Sequence, residues 1–303
     1  MHDAHDPEQT SGVQRGRTVD RTPAAVAGID FTSAPRPRKP ITVALADGVE
    51  HRAGTPTVRV TELLALPSFE AWEAWLGRPG PWVDAFDFPF ALARPFVAAQ
   101  GWPLDGPEAW ADITRRLAAL SRPELVARCR AWCDARPAGA KFAHRACDAT
   151  AGSSASMKWV NPPVALMLHA GAPRLLAAGV TVPGLHERGT DASRVALEGY
   201  PGLPARAVLG RTSYKSDDPK HRHDPERRAA RERLVAALEA GAPPFGVQVE
   251  FGVWRDACID DPGADRLDAV LCLVQAAWAT ERREVNWGLP QRADRIEGWI
   301  VGA

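Results

Sequence analysis

The chain has 303 residues, 45% of them hydrophobic and 24% charged, which is enough to close a hydrophobic core without staples and too apolar for a disordered chain. Lys plus Arg number 37 and Asp plus Glu 37, which excludes the global cationic field of a protein that coats nucleic acid and leaves only local basic patches to meet phosphate. Five cysteines, an odd number for this length, fit a reducing compartment better than a disulfide framework and point to the cytoplasm.

Residues 1–23, MHDAHDPEQTSGVQRGRTVDRTP, are polar, lack the apolar run of a secretion signal and read as a disordered tail. His2, Asp3, His5 and Asp6 carry metal-ligand chemistry, but a polar terminus is ordinarily frayed and solvated. No stretch approaches the roughly 18 uninterrupted apolar residues of a membrane span, so no membrane partner is expected. The folded part, residues 24–303, starts with AAVAGIDF, a buried strand ending in Asp30 before the breakers of TSAPRPRKP. Ile41–Asp47 and Thr57–Leu63 follow as β-branched strands that make a meander with the first. Pro67 and Ser68 open a helix in FEAWEAWLG, with Phe69, Trp72, Trp75 and Leu76 on one face and Gly77 and Pro79 as the stop. PWVDAFDFPF gives a strand over Trp82–Phe86 with Asp87 at its carboxyl end, and a helix between strands predicts a parallel crossover. From about 91 to 190 the pattern is helical, irregular and rich in proline, with AGSSAS at Ala151–Ser156; it reads as an inserted helical subdomain. SRVALEGYPG restores a strand, Val195–Leu197, that delivers Glu198. Pro225–Gly241 is an amphipathic helix with proline at its start and glycine at its end. FGVQVEFG has no decisive period. DPGADRLDAVLCLVQAAWATERRE is the most apolar helix, entered through Asp260, Asp261 and Pro262, and EGWIVGA supplies a candidate last strand.

Hydrolysis of a phosphodiester by two metals needs carboxylates from distant segments, because Mg²⁺ takes hard oxygen ligands and keeps waters for the nucleophile. The strand ends carry Asp30, Asp87 and Glu198, and the late helix carries Asp265 and Asp268, whose spacing of three puts both on one face. Like charges this close raise each other's pKa unless a cation sits between them. The competing reading is local. Aspartate in a first helical turn is favoured by the macrodipole, and aspartate after a strand is an ordinary turn residue.

GIDFTSAP with Asp30, AFDFPF with Asp87, ALEGYPG with Glu198, and ADRLDAVLCLVQAAWA with Asp265 and Asp268 resemble the predicted RNase H-like nucleases, a family related to the RuvC and YqgF resolvases, over Val26 to about Ala279. The resemblance implies an α/β fold with an RNase H-like mixed five-stranded sheet flanked by helices. Such sheets present an Asp on the first strand and a second acid at the end of the fourth, and the RuvC branch adds two acids three apart on the last helix. It further implies Mg²⁺ or Mn²⁺ at the carboxylates and a two-metal hydrolysis of nucleic acid, DNA or RNA; separately from the resemblance, Lys215 follows Tyr214 in a polar loop and reads either as a cation that meets the scissile phosphate or as an ordinary surface lysine. Asp30 then bridges the metals, Asp87 and Asp268 complete their sites, and Asp265 and Glu198 take supporting positions. Glu198 departs from the pattern, since it falls on the fifth strand, where the RuvC branch has no main ligand. Many resolvases dimerise, so a homodimer is compatible with the resemblance. The same fold serves proteins without catalysis and the ATP-handling actin and sugar-kinase group. A nucleic-acid- or nucleotide-binding module that does not cut is therefore the second reading. The ATP-handling reading is third, because no glycine-rich phosphate loop stands out.

Thr212–Arg233 holds Lys215, Lys220, Arg222, Arg227, Arg228, Arg231 and Arg233, interleaved with Asp217, Asp218, Asp224, Glu226 and Glu232. It reads either as a grip on a phosphate backbone or as a solvated helix face. Lys215 and Arg222, with Lys158 in the loop SSASMKWVNPP, are the candidate substrate contacts. Cys129, Cys133, His144 and Cys147 are spaced C-x3-C-x10-H-x2-C, superficially like zinc ligands. Yet the first two lie one helical turn apart, where cysteine is an ordinary small buried residue. The eleven tryptophans suit core packing better than base stacking. No phosphate-loop, dinucleotide or G-x-S-x-G motif occurs.

Overall fold

The computed structural model describes residues 24–303 apart from 188, 190, 217 and 222. The expected tail, with His2, Asp3, His5 and Asp6, lies outside the described residues. Nine strands and ten α-helices lie within them. They are β1 (Ala25–Asp30), β2 (Ile41–Ala46), β3 (Glu50–Arg52), β4 (Thr55–Arg59), β5 (Glu62–Leu66), α1 (Phe69–Leu76), β6 (Trp82–Phe86), α2 (Arg94–Ala99), α3 (Ala109–Ala118), α4 (Arg122–Asp134) and α5 (Ala146–Ala151). Then come α6 (Val164–Ala178), β7 (Val180–Thr181), β8 (Asp191–Glu198), α7 (Gly202–Leu209), α8 (Pro225–Glu239), β9 (Gln248–Glu250), α9 (Arg255–Ile259) and α10 (Asp265–Thr280). No helix among the described residues is long and apolar enough to cross a membrane.

The main sheet is mixed, in the order β5-β2-β1-β6-β8-β7. β5, β2 and β1 form the antiparallel meander, and β1, β6, β8 and β7 pair in parallel. It has six strands rather than the expected five, because the two-residue β7 adds an edge. The stretch read as one strand over Thr57–Leu63 belongs to two sheets. β4 joins β3 and β9 in a three-stranded sheet, and the chain changes sheet at Val60–Thr61, where Val60 N–H donates to Glu250 and Thr61 N–H to Leu45. FGVQVEFG supplies β9. EGWIVGA makes no strand, only a single bridge from Ile300 to Glu198.

Alternation along the strands sends Ala27, Ile29, Ile41, Val43, Trp82 and Phe86 to one face, where they pack with residues of α1, α2, α3, α4 and α6. The helical stretch of about 91–190 thus supplies much of one covering layer. Trp72, Trp82 and Trp110 are fully buried in it, and the Trp110 indole N–H donates to the Phe90 carbonyl at 2.9 Å. Val26, Ala44, Val83, Ala85, Val195 and Leu197 face the other way, against α7, α8, α9 and α10.

α10 is apolar nearly all round and buried from Leu267 to Ala277, as a helix between a sheet and a second layer must be. It lies directly on β1 at Gly28. A Cβ there would stand 1.9 Å from the Leu273 nitrogen and 2.0 Å from the Ala269 carbonyl oxygen, so only glycine permits the approach. Gly28→Ala is expected to cost more than the ~1–3 kcal/mol of ordinary overpacking, because backbone atoms cannot turn aside as side chains do. Chemical denaturation checks this, and a loss below ~1 kcal/mol would contradict the packing described.

Candidate active site

Asp30 ends β1, and Asp87 follows β6 on the neighbouring parallel strand, its N–H donating to the Ile29 carbonyl at 2.8 Å. The two carboxylates therefore sit side by side at the carboxyl edge of the sheet. Gly28 and Asp30, two residues apart, share the face beneath α10, and the seating of that helix brings its first turn, with Asp265 and Asp268, to the same edge. Asp268 is 1% exposed. Its Oδ1 accepts a hydrogen bond from the Tyr214 hydroxyl at 2.6 Å, and its Oδ2 pairs with the Lys215 ammonium. Tyr214 and Lys215 lie between α7 and α8. Buried Arg231 of α8 anchors them by donating to the Tyr214 carbonyl at 2.9 Å and to that of Ile259 at 2.6 Å. Asp30, Asp87, Asp265, Asp268 and Lys215 thus meet.

The charges are unbalanced. Burial, and then repulsion from Asp268, Asp265 and Asp87, holds the Asp30 carboxyl well above its ordinary range, and attraction to Lys215 does not offset them. Burial pushes Asp87 up to about 7, against the pull of Lys215 and with the help of Asp268 and Glu198. For Lys215, burial acts to lower the pKa, but Asp268, Tyr214, Asp87 and Asp30 overcome it and hold the ammonium well above its ordinary range. Its side chain reaches in from the surface, 45% exposed.

A carboxyl whose pKa rises on folding stabilises the fold while protonated and loses that contribution as pH climbs to the folded value. For Asp87 the window runs from its ordinary 3.8 to about 7. Without metal, the Tm of the wild type is expected to fall from pH 5 to pH 8 more steeply than that of Asp87→Asn. Parallel curves from calorimetry would show that Asp87 does not titrate there.

Glu198 is placed differently from the expectation. Its register partner is Phe86, so it points to the face opposite Asp87, where Arg145 holds it with Nη2–Oε1 at 2.6 Å and Nη1–Oε2 at 2.8 Å. The Phe90 N–H donates to it at 3.0 Å. Arg145, itself 2% exposed, also donates to Asp148 at 2.8 Å and to the Glu297 carbonyl at 3.1 Å. Glu198 therefore acts on the aspartates only through its charge. Arg145 drew no notice in the sequence, although its spacing of three from Asp148 is the mark of a helical ion pair.

Lys158 donates to the Asn161 carbonyl at 2.5 Å within its own loop, and Ser153, Ser154 and Pro162 of that segment face the site instead. Arg222 and Asp217 lie outside the described residues. Arg227 pairs with Asp224 at 3.2 Å and Arg228 with Asp260 at 2.8 Å, whereas Lys215 of that strip pairs with Asp268. Cys129 and Cys133 are buried in the helical layer, Cys147 packs elsewhere beside Ile300, and His144 is exposed. Burial holds Cys129 and Cys147 at about 12, so both remain thiols.

Asp87 and Lys215 border two cavities of about 420 Å³ each. Thr32, Ser33, Lys39 and Asp265 line one, and Phe88, Pro162, Met167 and Tyr200 are among those lining the other. Among the described residues, no three His, Cys, Asp or Glu side chains stand in a ready-made coordination shell. The donors nonetheless suit a hard divalent cation. All are carboxylate oxygens from three elements, and burial, aided by repulsion among them, raises Asp30 and Asp87 even with Lys215 present. The chain matches no protein-family model, no curated protein and no solved structure.

Proposed function

We propose that this protein is a metal-dependent nuclease of RNase H type, hydrolysing phosphodiester bonds of nucleic acid with Mg²⁺ or Mn²⁺ held by Asp30, Asp87, Asp265 and Asp268. The observation that carries the reading is the convergence of these four acids, from the first and fourth strands of the main sheet and the first turn of the last long helix, beside the Lys215 ammonium. The resemblance to the RNase H-like nucleases supports it. When bound, divalent cations supply an activated water and stabilise the leaving oxygen.

The chain's own residues have distinct parts. Asp30, which feels Asp268, Asp265 and Asp87, would hold a cation together with Asp87 and Asp268, and Asp265 would support them. Tyr214 fixes the Asp268 carboxylate by hydrogen bonding to it, as supporting groups orient ligands. Lys215 fills the place of a counter-ion, and its ammonium can exchange Asp268 for a phosphate oxygen.

Titration of Mn²⁺ followed by electron paramagnetic resonance tests the site. The wild type is expected to deplete the free-ion signal and Asp30→Asn to leave it. Lys215→Met is expected to bind about tenfold more tightly, since no ammonium then competes for Asp268. A wild type that leaves the signal untouched at millimolar Mn²⁺ ends the reading. The second reading, a module that binds nucleic acid without cutting it, draws on the Lys215–Asp268 pair as a resident neutralising contact. Salt-dependent binding without cleavage over a broad substrate panel would favour it.

A further inference from the structure

We infer that the cavity on the Tyr200 side of Asp87 and Lys215 seats one nucleobase, so that the substrate is presented as a single strand. The inference rests on the nuclease reading and names its substrate class. Asp87 and Lys215 lie on the border of both 420 Å³ cavities, so a phosphate held by Lys215 adjoins both. Volumes in this range suit small-molecule fragments.

The two sides differ in chemistry. Phe31, Thr32, Ser33 and Lys39 line one, where the two hydroxyls can meet sugar and phosphate. Phe88, Val164, Tyr200 and Ile300 wall the other, with Pro162 and Met167 common to both, and give it the more apolar and aromatic surface, suited to the face of a base. The Tyr200 ring is held in advance. Its backbone N–H donates to the Gln275 side chain at 2.8 Å, Arg206 donates to its hydroxyl at 3.1 Å, and the Arg206 guanidinium lies 5.2 Å from the ring centroid. A platform fixed this way loses little freedom when a base stacks on it. The Arg145–Glu198 pair beneath is already satisfied by its own partners. A base inside a duplex reaches such a cavity only by unpairing and unstacking, at a cost of a few kcal/mol. A single strand avoids most of it.

Fluorescence anisotropy of the wild-type protein in EDTA, where no cleavage occurs, tests the inference with a labelled oligothymidine, an oligouridine and a blunt duplex of equal length. Either single strand is expected to bind at least about tenfold more tightly than the duplex. Tyr200→Ala is expected to weaken single-strand binding by about 5- to 100-fold, and Tyr200→Phe, which keeps the ring, to retain it. Mn²⁺ affinity should be the same in all three proteins, which shows that the variants are folded around an intact carboxylate site. Equal affinity for strand and duplex, no binding of either, or an unaffected Tyr200→Ala overturns the inference. Failure of the nuclease reading shows separately, as a wild type that takes up no Mn²⁺.

Discussion

Asp30→Asn is expected to abolish Mg²⁺-dependent cleavage of an oligonucleotide, a loss exceeding the ~10–100-fold typical of removing a group that merely supports a metal ligand. The substitution is isosteric, but an amide offers a cation one neutral oxygen in place of a charged carboxylate, and Asp30 is buried and repelled by Asp268, Asp265 and Asp87. The same substitution removes a buried charge that burdens the fold, so its Tm at pH 8 is expected to equal or exceed that of the wild type. Gain or retention of stability with loss of activity separates a functional carboxylate from a structural one. Asp268→Asn is expected to lose activity too, but it also weakens the contacts with Tyr214 and Lys215 and so destabilises where Asp30→Asn does not. Undiminished turnover in both variants would remove the basis of the proposed chemistry.

Arg145→Met is expected to destabilise the protein by about 3–5 kcal/mol, the usual cost of deleting one partner from a buried ion pair. It leaves Glu198 and Asp148, 4% and 0% exposed, without their guanidinium. The loss should shrink as pH falls and Glu198, whose carboxyl burial holds above its ordinary range, takes up a proton. Adding Glu198→Gln and Asp148→Asn should restore part of it at neutral pH, and the non-additivity measures the coupling. Urea denaturation of the single and triple variants is the measurement. A single-variant loss below ~1 kcal/mol would show that the network adds little. Activity should fall as well. Glu198 accepts from the Phe90 N–H, just beyond Asp87, and its carbonyl from Val301, so the network ties the end of β6 to β8 and to the carboxyl terminus.

Much of the architecture lies within reach of local patterns. The meander, the crossover through α1, the strand that ends before Asp87 and the buried last helix follow from side-chain period and from turn and cap residues, which act over a few positions. Gly28 is legible in hindsight as a glycine inside a strand, where close backbone approach is one of few uses for it. The small sheet was obscured because TVRVTEL keeps a strand pattern through the bend at Val60–Thr61, and nothing local marks the change of hydrogen-bond partner.

Alternation and the helical repeat are properties of short segments, and they suffice to put carboxylates at strand ends and on the first turn of α10. Which of these acids share a site is a matter of packing. Phe86↔Glu198 registry turns Glu198 to the other face, toward Arg145, while Asp268 receives Lys215. Both pairs join residues 53 positions apart, and such contacts depend on how sheet and helices pack, because a charge taken out of water needs whichever counter-charge the fold brings within reach.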